Sequence, residues 1–326
     1  MCDDPGMSRP TEPTIFDDLR ARCPRFVRIA DHLEATHGMF MDKPLRQLRA
    51  SELDWAFAEK LCEDAYALAG GDEATVIQHA DSMVEFSLEF LYLQRELEKT
   101  GRYRYTTFKE VDEQVYSNPE LTAYGPPYVW AMYFTQAFWV SHGKVWSFFL
   151  RDFSRAGATS GGRVLEIPSG NGLFLTHFLL SRPEWQGVAI DLSEASIAFT
   201  ERMLSLNGVR DRVEMRHEDF FDTPSEPSFD RIICGEFLEH VEDPLAVLKK
   251  LRTLLRADGR IFLTAAVWAA NIDHIYLYTS ASEVRDHIRA AGLEVDVELV
   301  QNVFAGHSPE DERTPINYSA ILRAVR

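Results

Sequence analysis

The chain has 326 residues, of which 45% are hydrophobic and 26% charged, so a disordered, collagen-like or coiled-coil protein is excluded. Its net charge of −17 argues against nucleic acid as a partner, because phosphates require a basic surface, and favours a small molecule. No apolar run reaches the ~18 residues of a membrane span. The polar start and the four scattered cysteines lead us to expect a cytoplasmic protein without a membrane anchor.

The first half of the chain predicts helices. After a flexible tail at 1–12, hydrophobic residues recur at spacings of three and four, and Gly70–Asp72 separates two helical stretches. Another helical stretch, rich in aromatic residues, follows Pro126-Pro127. We expect most of its aromatic rings to form core, while the polar ends of Tyr128, Tyr133 and His142 are candidates to face a ligand.

From Gly161-Gly162 onward, strand and helix patterns alternate, which predicts a parallel sheet covered by helices. The last two strand-like runs, LEVDVELV and INYSAILRAV, are close enough in the chain to pair as an antiparallel hairpin. We therefore expect a helical lid or substrate domain over 13–154 and an α/β domain over 155–326.

A glycine-containing loop, EIPSGNG at 166–172, follows the first strand, and a helix is expected from Leu173. Such a turn lets a ligand approach the backbone at the carboxyl edge of a sheet. A dinucleotide fingerprint is the rival interpretation. It requires a third glycine where this chain has Leu175, and it disfavours an acid such as Glu166 just upstream.

Acidic residues follow the next two strands. Asp191 ends the second strand, where a carboxylate can accept both hydroxyls of a ribose. Asp219 and Phe220 follow the third strand, where an acid and an aromatic ring suit an adenine. Glu166 or Asp219 taken singly is equally well explained as a cap or surface group. Together with Asp191, they place carboxylates at the ends of three successive strands, which predicts a nucleoside-binding edge.

Residues 155–326 resemble the class I S-adenosylmethionine (SAM)-dependent methyltransferases through VLEIPSGNG, Asp191, EDFF, FDRIICGEFLEHVEDP and LLRADGRIFLT. The resemblance implies a doubly wound, Rossmann-like sheet of seven strands in the order 3-2-1-4-5-7-6, with the last strand antiparallel, preceded by the helical domain. Pro168 departs from the family's usual first glycine. The residues expected to contact SAM are Glu166, Ser169, Gly170, Gly172, Asp191, Leu192, Asp219, Phe220, Gly235 and Glu236.

The pattern Glu236-Phe-Leu-Glu239-His240 follows the fourth strand, and on a helical turn its acids and imidazole would share one side. His274, beyond the neighbouring fifth strand, is placed to reach the same point. Two carboxylates and imidazoles can hold Mg²⁺ or another divalent metal. The set resembles metal-dependent ubiquinone-pathway O-methyltransferases and small-RNA 2′-O-methyltransferases, which implies Glu236, Glu239, His240 and His274 as ligands. A metal-free role, with His240 as a cap or a base, is the alternative.

These observations predict a SAM-dependent methyltransferase acting on a small molecule, with oxygen as the expected acceptor. The candidate catalytic residues are His240, His274, Tyr133 and His142. One alternative is a SAM-consuming cyclase that forms azetidine-2-carboxylate and methylthioadenosine. Another is a non-catalytic SAM-binding regulator. The sequence leaves open whether the chain forms a homodimer.

Overall fold

A computed structural model describes residues 14–118, 125–156, 160–304, 306–308 and 313–325; the predicted tail at 1–12 lies outside these ranges. The first half is helical, as the spacing of its hydrophobic residues predicts. The helices described there are α1 (Pro24–Arg49), α2 (Trp55–Leu68), α3 (Glu73–Thr100), α4 (Phe108–Val111), α5 (Pro126–Phe138) and α6 (Val140–Phe148).

Local sequence signals set the ends of these helices. The carboxylate of Asp54 accepts the backbone N–H of Phe57 at the start of α2, and Asp72 does the same for Ala74 at the start of α3. Gly101 ends α3 in the left-handed conformation, with φ at 69°. These three ends therefore carry residues suited to them, and the Gly70–Asp72 break lies where predicted.

The second half alternates strands and helices. The strands are β1 (Arg163–Glu166), β2 (Gln186–Asp191), β3 (Val213–His217), β4 (Phe229–Cys234), β5 (Leu255–Val267), β6 (Leu293–Asn302) and β7 (Ile316–Ala324). The helices are α7 (Leu173–Ser181), α8 (Glu194–Leu206), α9 (Pro244–Leu254) and α10 (Ala281–Ala290). They form one sheet in the order β3-β2-β1-β4-β5-β7-β6, with β7 antiparallel to both neighbours. The predicted doubly wound order and the terminal hairpin are confirmed.

Alternate residues of each strand face two different cores. Val164 and Phe262 join a core with α7, α8 and the helical first half, whereas Leu165 and Leu263 face α9 and α10. The ring of Phe149, just after α6, lies 5.0 Å from that of Phe262. The helical half thus packs directly on one layer of the sheet domain.

Most aromatic residues of the 126–153 stretch are core, as expected. Tyr133, Trp146 and Phe149 are at most 1% exposed. Among the described residues, no helix combines the length and apolar character that crossing a bilayer requires.

Candidate functional site

The loop after β1 turns sharply at the carboxyl edge of the sheet. Gly170 and Gly172 both have left-handed backbones, with φ of 53° and 68°. A Cβ on Gly172 would lie 2.7 Å from the Cγ2 of Thr200, so only glycine fits there. Below the loop, one carboxylate oxygen of Glu166 accepts the N–H of Leu175 at 3.3 Å. Burial raises the pKa of Glu166 well above its usual value.

Asp191 connects this loop to the end of β2. Its Oδ2 accepts the N–H of Gly170 at 2.9 Å, and its Oδ1 accepts the N–H of Ser193 at 2.8 Å. The hydroxyl of Ser169 lies 3.4 Å from the same Oδ2. The structure thus brings the predicted loop residues and the predicted ribose acid into direct contact.

The end of β3 carries the residues expected near an adenine. Asp219 caps the short turn that follows it by accepting the N–H of Phe221. Phe220 is only 2% exposed and its ring packs 5.8 Å from that of Phe237, whereas Phe221 is 46% exposed. Leu192, after β2, is 52% exposed. The accessible apolar surface at this edge therefore comes from Leu192 and Phe221 rather than from Phe220.

The segment after β4 differs in conformation from the predicted helical turn. Following Gly235, Glu236 has a left-handed backbone, with φ at 47°, and its N–H binds the hydroxyl of Thr264 on β5. A short 3₁₀ turn then spans Leu238–His240. The carbonyl of Glu239 accepts the N–H groups of Ile275 and Tyr276 at 2.8 and 3.0 Å. These bonds to the loop after β5, rather than helical periodicity, set the direction of the Glu239 and His240 side chains.

Glu239, His240 and His274 converge at this point, with one potential ligand atom from each lying within 4.8 Å of the others. The Nδ1 of His240 donates to the carbonyl of Asp273 at 3.2 Å, and the Nδ1 of His274 donates to the carbonyl of Ala269 at 2.9 Å. Because a carbonyl can only accept, a neutral ring held this way has its free electron pair on Nε2. Burial lowers the pKa of His274 to about 3, so that ring is neutral at physiological pH.

The carboxylate of Glu239 is buried without a hydrogen-bond donor to offset its loss of hydration. Neither of its oxygens receives a hydrogen bond of normal geometry within the described part of the chain, and its residue is 0% exposed. Burial, followed by the charge of Glu236, raises the pKa of Glu239 well above its usual value. A buried acid in this state requires a proton or a cation.

The tyrosines Tyr103, Tyr116 and Tyr128 of the helical half cover the cluster; of the three, only Tyr128 was expected to face a ligand. The hydroxyl of Tyr116 donates to Oδ2 of Asp273 at 2.8 Å, and that of Tyr103 donates to the carbonyl of Ala269 at 2.7 Å. Although 45% of Tyr116 is exposed, burial of its hydroxyl and the charge of Asp273 raise its pKa, with a smaller effect from Asp191. Its hydroxyl therefore lies within electrostatic reach of both the cluster and Asp191. No sequence motif marks these tyrosines, because they come close to the cluster only when the helical half packs against the sheet domain.

Tyr133 and His142 have other partners. The hydroxyl of Tyr133 is fully buried and donates to the carbonyl of Leu61 on α2. The Nδ1 of His142 lies 2.9 Å from the hydroxyl of Thr135, and burial lowers its pKa to about 4. Among the described residues, no recorded contact joins either side chain to the cluster at the carboxyl edge.

Comparison with known proteins agrees with the fold and the edge just described. Residues 165–261 match a family model described as a methyltransferase domain. A ubiquinone biosynthesis O-methyltransferase of Xanthomonas campestris pv. campestris is 30% identical over 186 residues, which cover 50% of this chain and 76% of that protein. The chain belongs to the class I SAM-dependent methyltransferases, and it is an enzyme that uses SAM.

Two further proteins show how far the similarity extends. The ubiquinone biosynthesis O-methyltransferase of Xanthomonas euvesicatoria pv. vesicatoria is 28% identical over 184 residues, 49% of this chain and 75% of its own length. The solved structure of the mitomycin 7-O-methyltransferase MmcR is 16% identical, with a TM-score of 0.51, and the match covers 82% of this chain and 76% of that one. The latter likeness concerns the fold alone, and it includes part of the helical half.

Proposed function

We propose that the protein transfers the methyl group of SAM to a hydroxyl of a small molecule. The observation that carries the proposal is the convergence of Glu239, His240 and His274 at the sheet edge where SAM-dependent enzymes of this class bind the cofactor. Methyl transfer needs an acceptor held in line at about 3 Å, water excluded, and, for a hydroxyl, a place for its proton. Glu239, His240 and His274 offer groups that can take up this proton.

The cofactor would lie along the ends of β1, β2 and β3. Asp191 would accept the ribose hydroxyls, because its Oδ1 keeps an electron pair beyond the bond from Ser193, and the 3.4 Å contact of Ser169 with Oδ2 is long enough for a ribose hydroxyl to replace it. Asp219 would accept the adenine amine, and Leu192 would pack on the ring. The glycine turn at 170–172 would admit the amino-acid part of SAM close to the backbone.

The cluster also fits a divalent cation. Glu239, His240 and His274 offer one buried carboxylate without a donor and two Nε2 atoms whose rings are oriented by backbone carbonyls, with Glu236 adjacent. Bound there, a cation would lower the pKa of an acceptor hydroxyl and orient its oxygen. In a metal-free enzyme, the neutral Nε2 of His274 would accept the hydroxyl proton directly.

We assign residues 13–154 to the wall that selects the acceptor and residues 155–326 to the SAM-binding domain. Tyr103 and Val115 of the helical half pack with Ile272 and Ile275 of the loop after β5, which supports a cover above the cluster. The net charge of −17 supports a small-molecule acceptor rather than a nucleic acid.

Incubation with methyl-labelled SAM and a panel of phenols and alcohols tests the reaction. Label transfer to a hydroxyl is expected, with release of S-adenosylhomocysteine only when an acceptor is present. Methylthioadenosine formed from SAM alone would instead indicate cyclisation. Binding of SAM without label transfer to any acceptor would count against the proposal.

Metal removal tests the cation separately. After dialysis against EDTA, loss of label transfer and its recovery with Mg²⁺, Mn²⁺, Zn²⁺ or Fe²⁺ would support a bound cation, and Glu239→Gln should abolish the recovery while keeping SAM binding. Full activity after EDTA treatment, together with loss of activity in His274→Gln, would support proton transfer to His274 without metal.

A further inference from the structure

A second group of metal-ligating side chains lies within the helical half. His32 and His37 of α1 face Asp81 of α3, and the Nε2 atoms of the two rings lie 2.7 and 2.8 Å from the same carboxylate oxygen. One potential ligand atom from each of the three lies within 4.8 Å of the others. Along α3, Asp81 lies about 20 Å, at ~1.5 Å per residue, before Gln94, whose side chain bonds to Trp268 and Ala270 in the loop after β5.

The helix that carries both histidines is distorted at one of them. Residues five positions apart on a regular α-helix point about 140° apart, so His32 and His37 would not reach one oxygen. His37 departs from helical geometry inside α1, with φ −118° and ψ 22°. The distortion brings the two rings to a centroid separation of 6.2 Å, nearly perpendicular to each other, with both Nε2 atoms directed at Asp81.

We propose that His32, His37 and Asp81 form a binding site for a divalent transition-metal ion, with Zn²⁺ as the best-matched occupant. Two imidazoles and one carboxylate are a Zn²⁺ ligand set that leaves a coordination position for water. A bound ion needs the Nε2 atoms unprotonated, and for His32 the proton can sit on Nδ1, 3.4 Å from the hydroxyl of Thr36.

The position of the three side chains determines how an ion can reach them and what its binding would do to the protein. The side chains are 22%, 27% and 31% exposed, so an ion can enter from solvent without opening the helical core. Because the ligands lie on α1 and α3, a bound ion would link the two helices and raise the melting temperature of the protein. The site does not depend on the methyl-transfer chemistry proposed above.

Counting bound ions in the full chain tests the site. After removal of metal with EDTA, Zn²⁺ is titrated by isothermal calorimetry, and Co²⁺ is followed by its visible absorption. We expect Asp81→Asn and His37→Ala to bind one ion fewer per chain than the wild type, or to bind it at least roughly tenfold more weakly. Loss of a group that only orients a ligand costs about 10–100-fold, and loss of a ligand itself should cost no less. The exposed His307→Ala is the matched control and should bind as the wild type does.

The test does not depend on whether Glu239, His240 and His274 also bind an ion. The wild type and each variant share that cluster, so a loss of one bound ion per chain reports on His32, His37 and Asp81 alone. In Glu239→Gln, the wild-type ligands at His32, His37 and Asp81 should still bind one Zn²⁺. Circular dichroism without metal checks that each variant is folded, and the near-isosteric Asp81→Asn keeps the test valid where a histidine variant unfolds. Equal stoichiometry and affinity in wild type, Asp81→Asn and His37→Ala would overturn the proposal.

Discussion

Asp191 binds the protein's own backbone through both carboxylate oxygens, at Gly170 on one side and Ser193 on the other. These bonds hold the glycine turn in its conformation without the help of a ligand. Asp191 is also the predicted ribose acceptor, so its loss should affect loop and cofactor together.

We therefore expect Asp191→Asn to weaken SAM binding by roughly 1.5–3 kcal/mol, which is the range for a lost hydrogen bond to a charged group. The amide places an N–H₂ against a backbone N–H, so the melting temperature should fall as well. Calorimetric titration with SAM measures the first effect. Asp211→Asn, an exposed acid on the same domain, is the control, and equal SAM affinity in both variants would contradict the role of Asp191.

Glu236 has a backbone that favours glycine, yet it carries a carboxylate. The left-handed conformation of a residue with a Cβ costs about 1–2 kcal/mol. Its charge also opposes ionisation of Glu239. Both effects lower stability, which suggests that the carboxylate is retained for activity.

Glu236→Gly should keep or raise the melting temperature while label transfer falls. Glu236→Gln, which keeps the backbone strain but removes the charge, separates the two effects. Thermal unfolding and the label-transfer assay measure them. A Glu236→Gly variant that is less stable than the wild type yet fully active would contradict this interpretation.

At the scale of elements, the loop after β5 is held from the helical half. The side chain of Gln94 on α3 donates to the carbonyl of Trp268 at 2.9 Å and accepts the N–H of Ala270 at 3.0 Å. Gln94 is only 2% exposed, and Trp268 has a left-handed backbone. His274 lies on the same loop, so α3 fixes its position through Gln94.

Gln94→Leu removes both bonds and leaves two backbone groups without partners, which costs about 1–3 kcal/mol each when buried. We expect lower stability and a lower rate of methyl transfer, with SAM affinity close to that of the wild type, since the strand ends proposed to bind SAM lie elsewhere. Denaturant unfolding, single-turnover kinetics and SAM titration give the three readouts. Gln78→Leu, exposed on the same helix, should leave all three unchanged.

At the scale of the whole molecule, the core holds histidines in neutral form. His177 packs 4.8 Å from the ring of Trp146, where α7 meets the helical half. Burial, with a smaller effect from the charge of Lys60, lowers its pKa to about 4. In the unfolded chain the same ring has a pKa near 6.5 and takes up a proton below that pH.

Stability should therefore fall as the pH drops from about 6.5 to 4, because only the unfolded state binds the His177 proton in that window. His177→Phe removes this effect, so between pH 6.5 and 4.5 the wild type should lose about 2 kcal/mol more unfolding free energy than the variant. Urea unfolding at both pH values measures it, with His307→Asn as control. Parallel losses in wild type and His177→Phe would contradict the assignment.

Patterns in the sequence were enough to predict the helical first half, the α/β second half and the residues at the strand ends. Helix spacing, strand alternation, glycine turns and caps are set by neighbours in the chain, so they can be recognised without the fold. The resemblance to a known family added the strand order, which the structure confirms.

How these parts contact one another is visible only in the folded chain. The left-handed Glu236, the 3₁₀ turn at Leu238–His240 and the bonds from Ile275 and Tyr276 depend on contacts between separate strands. The positions of Tyr103 and Gln94 over the loop after β5 depend on packing across more than 150 residues. Periodicity carries no information on such contacts, because their energy arises only when distant segments exclude water together.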